Sequence, residues 1–140
     1  MDRYTEPMAP QQSSRPAIPS NLARLAEIAK SLPETTSVDI EAWGGESAFK
    51  VRKKVFLYAT PSGTTICLKL PLSEAQALVA GDESVTPMKF NLGKHGWIEA
   101  QLRPDEQDEA RWREVAEWIR TSYSLVGPKS LVKLMDNPTD

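Results

Sequence analysis

The densest group of chemically active side chains in this sequence is basic. Lys50, Arg52, Lys53 and Lys54 stand together in the stretch KVRKK, between two runs rich in β-branched and aromatic residues. This pattern predicts a β-hairpin whose cationic tip is placed to contact nucleic-acid phosphates. The same residues could instead form a solvated turn whose charges protect a sheet edge from aggregation. The turn contains neither Gly nor Asn, so its register stays open, and a one-residue slip would move Lys50 and Arg52 to the other face of the sheet.

Charge is distributed unevenly along the chain. Residues 43–103 carry eight basic and five acidic side chains, whereas residues 1–42 and 104–140 are both acidic on balance. The formal net charge is -2. This balance excludes a uniformly cationic protein but is compatible with a local basic patch in the sheet region.

A second basic pair, Lys94 and His95, stands between two glycines in the stretch LGKHGWIEAQL. A neutral imidazole can act as a base near neutral pH. The neighbouring sequence has no carboxylate, serine or cysteine spaced to complete a catalytic set with it. We therefore predict a turn or surface role for His95, with ligand contact as the alternative and catalysis the least favoured, and assign no catalytic residue.

Two tryptophans lie beside glycines at the ends of predicted strands. Trp43 and Trp97 are candidates for a ligand-binding surface or for stacking against bases. Trp112 follows a helical apolar spacing and is expected in the core.

The only cysteine, Cys67, excludes an intrachain disulfide. It lies between Ile66 and Leu68, so packing is a better interpretation than nucleophilic chemistry. Without a CxxC or Cys/His cluster, we expect no metal and no cofactor. The lack of disulfides favours a cytoplasmic location. No apolar run approaches the roughly 20 residues of a membrane span.

The spacing of apolar residues predicts three helices and five or six strands. The helices are expected after an N-cap at Ser20 and ending before Pro33, after a capping box of Ser73 and Gln76, and from a cap at Asp105 to Gly127. The strands are expected at 35–43, 47–52, 55–60, 65–70 and 97–102, with a further short one near 87–91.

The order of these segments, α-β(3-4)-α-β(1-2)-α, predicts an α+β fold in two layers, with helices packed against one antiparallel sheet. A chain of 140 residues suffices for one domain. We predict a disordered Pro-rich tail over 1–19, a single domain over 20–133 and a flexible C-terminal tail over 134–140.

Several motifs occur in an order typical of one family, namely LPETT, WGGESAFKVRKKVFLYA, CLKLP, GKHGWI and YSLVGPKSL. Over residues 21–133 the chain thereby resembles the YjbR-like (MmcQ/YjbR) family of small bacterial proteins. The resemblance implies a layout similar to secretion-chaperone domains and, through likeness to a double-wing arrangement, DNA binding. Lys53 departs from the pattern, because the family often has glycine there. The matching positions are Trp43, Gly44, Phe49, Lys50, Lys69, Gly96, Trp97, Pro128 and Lys129.

The leading functional hypothesis is a non-catalytic DNA-binding protein that contacts phosphates weakly. Its alternative is a chaperone-like protein-interaction module that uses the sheet face, and an enzyme with His95 in a pocket is the least favoured. The expected partner is duplex DNA or a protein, with no membrane and no metal. The residues expected to contact nucleic acid are Lys50, Arg52, Lys53, Lys54, Lys94, His95 and Lys129.

Overall fold

The computed structural model describes residues 20–40, 45–89 and 91–136. Its helices are α1 (Asn21–Lys30), α2 (Leu72–Gly81), α3 (Glu109–Val126) and α4 (Lys129–Asp136), with a 3-10 turn at Gly93–His95. Its strands are β1 (Thr35–Ile40), β2 (Glu46–Val51), β3 (Lys54–Ala59), β4 (Thr65–Lys69), β5 (Val85–Pro87) and β6 (Trp97–Gln101). The predicted tail at 1–19 lies outside the described residues, and α4 occupies positions 134–136, which the sequence assigned to a flexible tail.

The six strands form one antiparallel sheet in the order β1-β2-β3-β4-β6-β5. Helix α3 packs against β3 and β4, α1 packs against β1 and β3, and α2 lies beside β5. The predicted α+β fold, with helices against an antiparallel sheet, is confirmed.

The alternation of side chains along the strands separates a packed face from an outer face. Ile66 pairs with Ala100, and Leu68 pairs with Ile98; all four are buried in the core that α1 and α3 cover. The intervening pair, Cys67 and Glu99, therefore lies on the outer face. The core consists mainly of Leu25, Phe49, Val51, Phe56, Leu57, Ile66, Leu68, Ile98, Val115, Ile119 and Tyr123.

The β2–β3 hairpin has a two-residue turn at Arg52 and Lys53. Both strands lie one residue earlier in the chain than the predicted strands at 47–52 and 55–60. Both turn residues have positive φ, 52° and 76°, which is the backbone of a type I′ turn. The register changes between Phe49 and Lys50, which leaves Phe56 as the extra residue of a bulge. Lys50 consequently pairs with Val55, and the open question of register is settled.

One of the three predicted helix N-caps is present in the structure. The Ser20 hydroxyl accepts a hydrogen bond from the Ala23 amide at 3.1 Å, as predicted. The capping box at Ser73 and Gln76 is wrong, because α2 already begins at Leu72. Pro71 precedes it, and its fixed φ suits the entry to a helix.

The predicted cap at Asp105 is also wrong, and Asp108 caps α3 by accepting from the Ala110 amide at 3.0 Å. The reason is the buried Glu106, whose carboxylate accepts from the Arg103 and Asp108 amides and keeps this segment non-helical. The short strand predicted near 87–91 lies instead at Val85–Pro87.

Candidate functional site

The tip of the β2–β3 hairpin contains both paired and free cations. Arg52 donates from Nε to Oε1 of Glu34 at 2.6 Å and from Nη2 to Oε2 at 3.0 Å. The hydrogen bond from Arg52 lowers the pKa of the Glu34 carboxyl. Lys53 and Lys54 are exposed, whereas Lys50 is half-buried. Arg52 therefore anchors the hairpin to the start of β1, and the two exposed lysines supply its accessible charge.

The hairpin extends beyond the ladder that joins β3 to β4. That ladder comprises the pairs Tyr58–Cys67 and Ala59–Ile66, whereas the β2–β3 ladder continues to Val51–Lys54. At this end β1 still pairs with β2 as far as Thr35–Val51, so only the β3 edge of the hairpin is unpaired beyond the β3–β4 ladder.

The turn that carries Lys94 and His95 lies at the same end of the sheet as the hairpin tip. Lys69, at the end of β4, is the cross-strand partner of Trp97, at the start of β6. The Leu70 amide donates to the Gly96 carbonyl at 2.9 Å. Gly96 has φ 95°, and a β-carbon there would clash with the Leu70 carbonyl, so glycine is required for this close approach.

Helix α4 starts close to the hairpin. A β-carbon at Gly127 would lie 3.6 Å from Cγ1 of Val51. The Tyr123 hydroxyl donates to the Pro33 carbonyl at 2.7 Å, which also brings the end of α3 beside the start of β1. Lys129, the exposed first residue of α4, therefore lies at this end as well.

These positions define what we call the basic end of the sheet. It contains all seven residues that the sequence singled out as basic contacts, and Lys69 joins them through its pairing with Trp97. Sequence reasoning missed the grouping with Lys69, since only the strand order reveals it. The basic end comprises Lys50, Arg52, Lys53, Lys54, Lys69, Lys94, His95 and Lys129.

Of the two tryptophan candidates, Trp43 lies outside the described residues. Trp97 is half-buried, and its ring centroid lies 6.1 Å from that of Tyr58, with the planes inclined at 50°. Trp97 thus belongs to a small aromatic pair on the outer face of the sheet.

His95 is exposed at the end of the 3-10 turn. Its amide donates to the Leu92 carbonyl at 3.0 Å, as expected of a turn residue. Within the described part of the chain, no carboxylate side chain hydrogen-bonds its imidazole. The turn predicted around His95 is therefore present.

A groove of about 610 Å³ lies on the outer face of the sheet. Burial, reinforced by Glu99 and Glu46, raises the pKa of the Cys67 thiol to about 12, so the thiol stays protonated and unreactive near neutral pH. Burial and then Glu99 raise the pKa of Glu46. This acidic pair was not predicted from the sequence, although the alternation of Trp97, Glu99 and Gln101 was a usable signal. We call this the acidic groove, and its lining includes Glu46, Tyr58, Thr65, Cys67, Met88 and Glu99.

A second cavity, of about 360 Å³, lies between α2 and the start of β6, and we call it the α2 pocket. Its lining includes Leu72, Val79, Lys94 and Trp97. Trp97 therefore connects the basic end with an apolar cavity that the sequence analysis did not anticipate.

Among residues 20–40, 45–89 and 91–136, no group of three or more His, Cys, Asp or Glu side chains is arranged to hold a metal ion. None of the helices in this described part of the chain is both long and apolar enough to span a membrane.

Comparison with known proteins found a family model and solved structures that match the chain. A family model described as YjbR matches residues 30–125. The chain is also similar to the crystal structure of the Deinococcus radiodurans protein DR2400, whose family-model domain is DUF419, with a TM-score of 0.63 and 19% identity. The similarity covers 84% of this chain and 89% of that chain, and at this identity it shows the fold alone. No curated protein matches the chain.

Proposed function

The chain belongs to the YjbR family, and on that premise we propose that it is a non-catalytic DNA-binding protein whose basic end contacts the phosphates of duplex DNA. The observation that carries the proposal is the grouping of the basic hairpin, Lys69, the Lys94–His95 turn and Lys129 at one end of the sheet. Scattered cations would have supported the protein-interaction hypothesis instead.

The spacing within the basic end suits a phosphate backbone. The hairpin strand β3 and the strand β6 are separated only by β4, so they are two strand spacings apart, or about 10 Å. Duplex DNA carries one charge per roughly 1.7 Å of its axis, so a row of lysines over that distance spans several phosphates.

The opposite end of the molecule is acidic, which would orient the protein on a polyanion. Glu106, Asp108 and Glu109 surround the start of α3. The Glu106 amide donates to Oδ1 of Asn21 at 3.1 Å, and Nδ2 of Asn21 donates to the Gly63 carbonyl, so this segment lies beside the β3–β4 turn, away from the hairpin tip. The resulting charge asymmetry favours approach of DNA to the basic end.

The contacts we propose are directed to phosphates and therefore carry little sequence information. Lys53, Lys54, Lys94 and Lys129 are exposed and are the principal contacts. Arg52 is held by Glu34 and acts by keeping the hairpin in place. We further propose that the protein acts in the bacterial cytoplasm, since its single cysteine allows no intrachain disulfide, and that it acts without a cofactor.

A paired-variant experiment tests the proposal. We expect Lys53→Gln with Lys54→Gln to weaken the binding of two unrelated duplexes to the same extent, because phosphate contacts do not read sequence. The matched control is Arg103→Gln with Arg113→Gln, which removes the same charge from two exposed residues near the acidic end. Equal losses in the two double variants would show a general charge effect and would contradict a binding surface at the basic end.

The acidic groove supports a second candidate, a protein-interaction module. Glu46 and Glu99 lie on the outer face with Tyr58 and Met88, so a groove of this kind would accept an extended basic peptide. An oligolysine peptide should bind the wild-type protein and lose affinity in Glu46→Gln with Glu99→Gln, while duplex DNA binding persists. Failure of the peptide to bind would remove this candidate.

A further inference from the structure

The α2 pocket has the composition of a small-molecule cavity. Its volume of about 360 Å³ falls in the range of ligand-binding cavities. Leu72, one of its wall residues, keeps 44% of its surface exposed. A ligand with an apolar body would cover that surface. The apolar walls are Leu72, Ala75, Val79, Pro87, Trp97 and Ile98.

The rim of the α2 pocket is electropositive. Among the described residues that line it, Lys94 alone is charged, and Gln76 adds a neutral polar group. Glu74 lies in the first turn of α2 but is exposed and outside the lining. Lys94 therefore meets no acidic side chain among the described lining residues.

The start of α2 adds to this positive potential. Leu72 is the first residue of the helix and lines the pocket, and the preceding N-cap residue, Pro71, has no side-chain oxygen to accept from the free amides of the first turn. A β-carbon at Gly96 would lie 3.6 Å from the Leu72 nitrogen, so the turn that carries Lys94 abuts the helix start. A lysine and a positive helix end thus meet at the rim of an apolar cavity.

We propose that the α2 pocket binds an amphipathic carboxylate, with its apolar tail against Leu72, Val79 and Trp97 and its carboxylate on Nζ of Lys94. The apolar walls select a hydrocarbon body, and the rim selects an anion over an alcohol or an amine. This inference stands independently of DNA binding, although Lys94 belongs to both surfaces.

Calorimetric titration with octanoate tests the proposal, with octan-1-ol and octylammonium as probes of equal chain length. We expect octanoate to bind with a dissociation constant on the order of 1 mM or tighter. Hexanoate is two methylene groups shorter than octanoate, and its affinity should be lower by about fourfold for each of them. The indole N–H signal of Trp97, assigned with Trp97→Phe, should shift in proton–nitrogen spectra as octanoate is added.

Two variants and one control separate the contribution of the apolar tail from that of the head group. Ala80→Phe places a ring at an exposed position of the lining and should abolish binding, whereas Ala77→Phe, exposed on α2 but outside the lining, should leave it unchanged. Lys94→Gln should weaken octanoate about fivefold and leave octan-1-ol unaffected.

Three results would overturn the proposal. They are the absence of saturable octanoate binding, equal binding of octanoate and octylammonium, and equal effects of the two phenylalanine variants. Lys53→Gln with Lys54→Gln should still bind octanoate, so loss of DNA binding and loss of carboxylate binding are separate outcomes.

Discussion

The hydroxyl of Ser122 in α3 donates to the main-chain carbonyl of Phe56 in β3 at 2.7 Å. The same hydroxyl accepts from the Lys69 amide of β4 at 3.0 Å. Phe56 is the bulge residue, and the β3–β4 ladder ends before it, so these two main-chain groups are bridged by a side chain where the strands separate. One buried hydroxyl thus joins the main helix to the point where the β3 edge of the basic hairpin becomes unpaired.

Ser122→Ala should destabilise the protein by about 1–3 kcal/mol, because it leaves a buried carbonyl and a part-buried amide without their partner. Urea denaturation would measure the loss. Ser124→Ala is the control, since that hydroxyl donates to the Thr121 carbonyl within α3, and its effect should stay within about 0.5 kcal/mol. Similar stabilities for the two variants would contradict a structural role for the Ser122 bridge.

Lys53→Gly should stabilise the fold by about 0.5–1 kcal/mol. Lys53 has φ 76°, a region that costs an L-residue roughly 1–2 kcal/mol, and part of that gain is offset by the greater entropy of glycine in the unfolded chain. Lys54→Gly, in the adjacent strand, should instead be destabilising. Thermal melts would compare the two, and a loss of stability in Lys53→Gly would show that the turn does not hold this backbone in solution.

Trp112→Ala should cost about 3–5 kcal/mol, whereas His95→Ala should stay within about 0.5 kcal/mol. The Trp112 indole is buried, donates from Nε1 to the Glu106 carbonyl at 2.9 Å and lies 4.6 Å from the Arg24 guanidinium carbon. His95 is exposed. Comparable losses in a denaturant titration would mean that His95 packs or binds within the fold.

Glu46→Gln should raise the melting temperature at about pH 7 by roughly 2–4 °C. Burial and Glu99 raise the folded-state pKa of Glu46 above its ordinary 4.5, so the fold is penalised once the pH rises above the unfolded value and the carboxylate must ionise. Below that value both states are protonated and the difference should vanish. Glu83→Gln removes an exposed carboxylate and is the control. A gain in melting temperature for Glu46→Gln at about pH 3 that equals its gain at about pH 7 would contradict this account.

The sequence predicted the fold well where periodicity is strong. The alternation from Trp97 to Gln101 and the apolar stripe from Trp112 to Tyr123 indicated the strand and helix that the structure contains. Caps were predicted less well, because local rules favoured Asp105 and a long-range contact decided otherwise. The Glu106 amide donates to Asn21, which is 85 residues away, and no local pattern contains that bond.

The residues of the candidate site could be predicted from the sequence, but their proximity in the fold could not. Each lysine of the basic end is visible as a charge near a turn, yet their proximity depends on β4 pairing with β6 across α2 and β5. The ion pair between Arg52 and Glu34 was equally hidden, since it depends on β1 pairing with β2. The acidic groove and the α2 pocket likewise form between segments that are distant along the chain.

The most direct test of phosphate contact at the basic end is the salt dependence of duplex binding. Log affinity plotted against log salt, from about 50 to 200 mM, should be linear for the wild-type protein. In the triple variant Lys53→Gln, Lys54→Gln, Lys94→Gln the slope should become shallower by about 2.7, or 0.9 for each lost phosphate contact. An unchanged slope in a folded triple variant, or no duplex binding by the wild-type protein at about 50 mM salt, would contradict the proposed function.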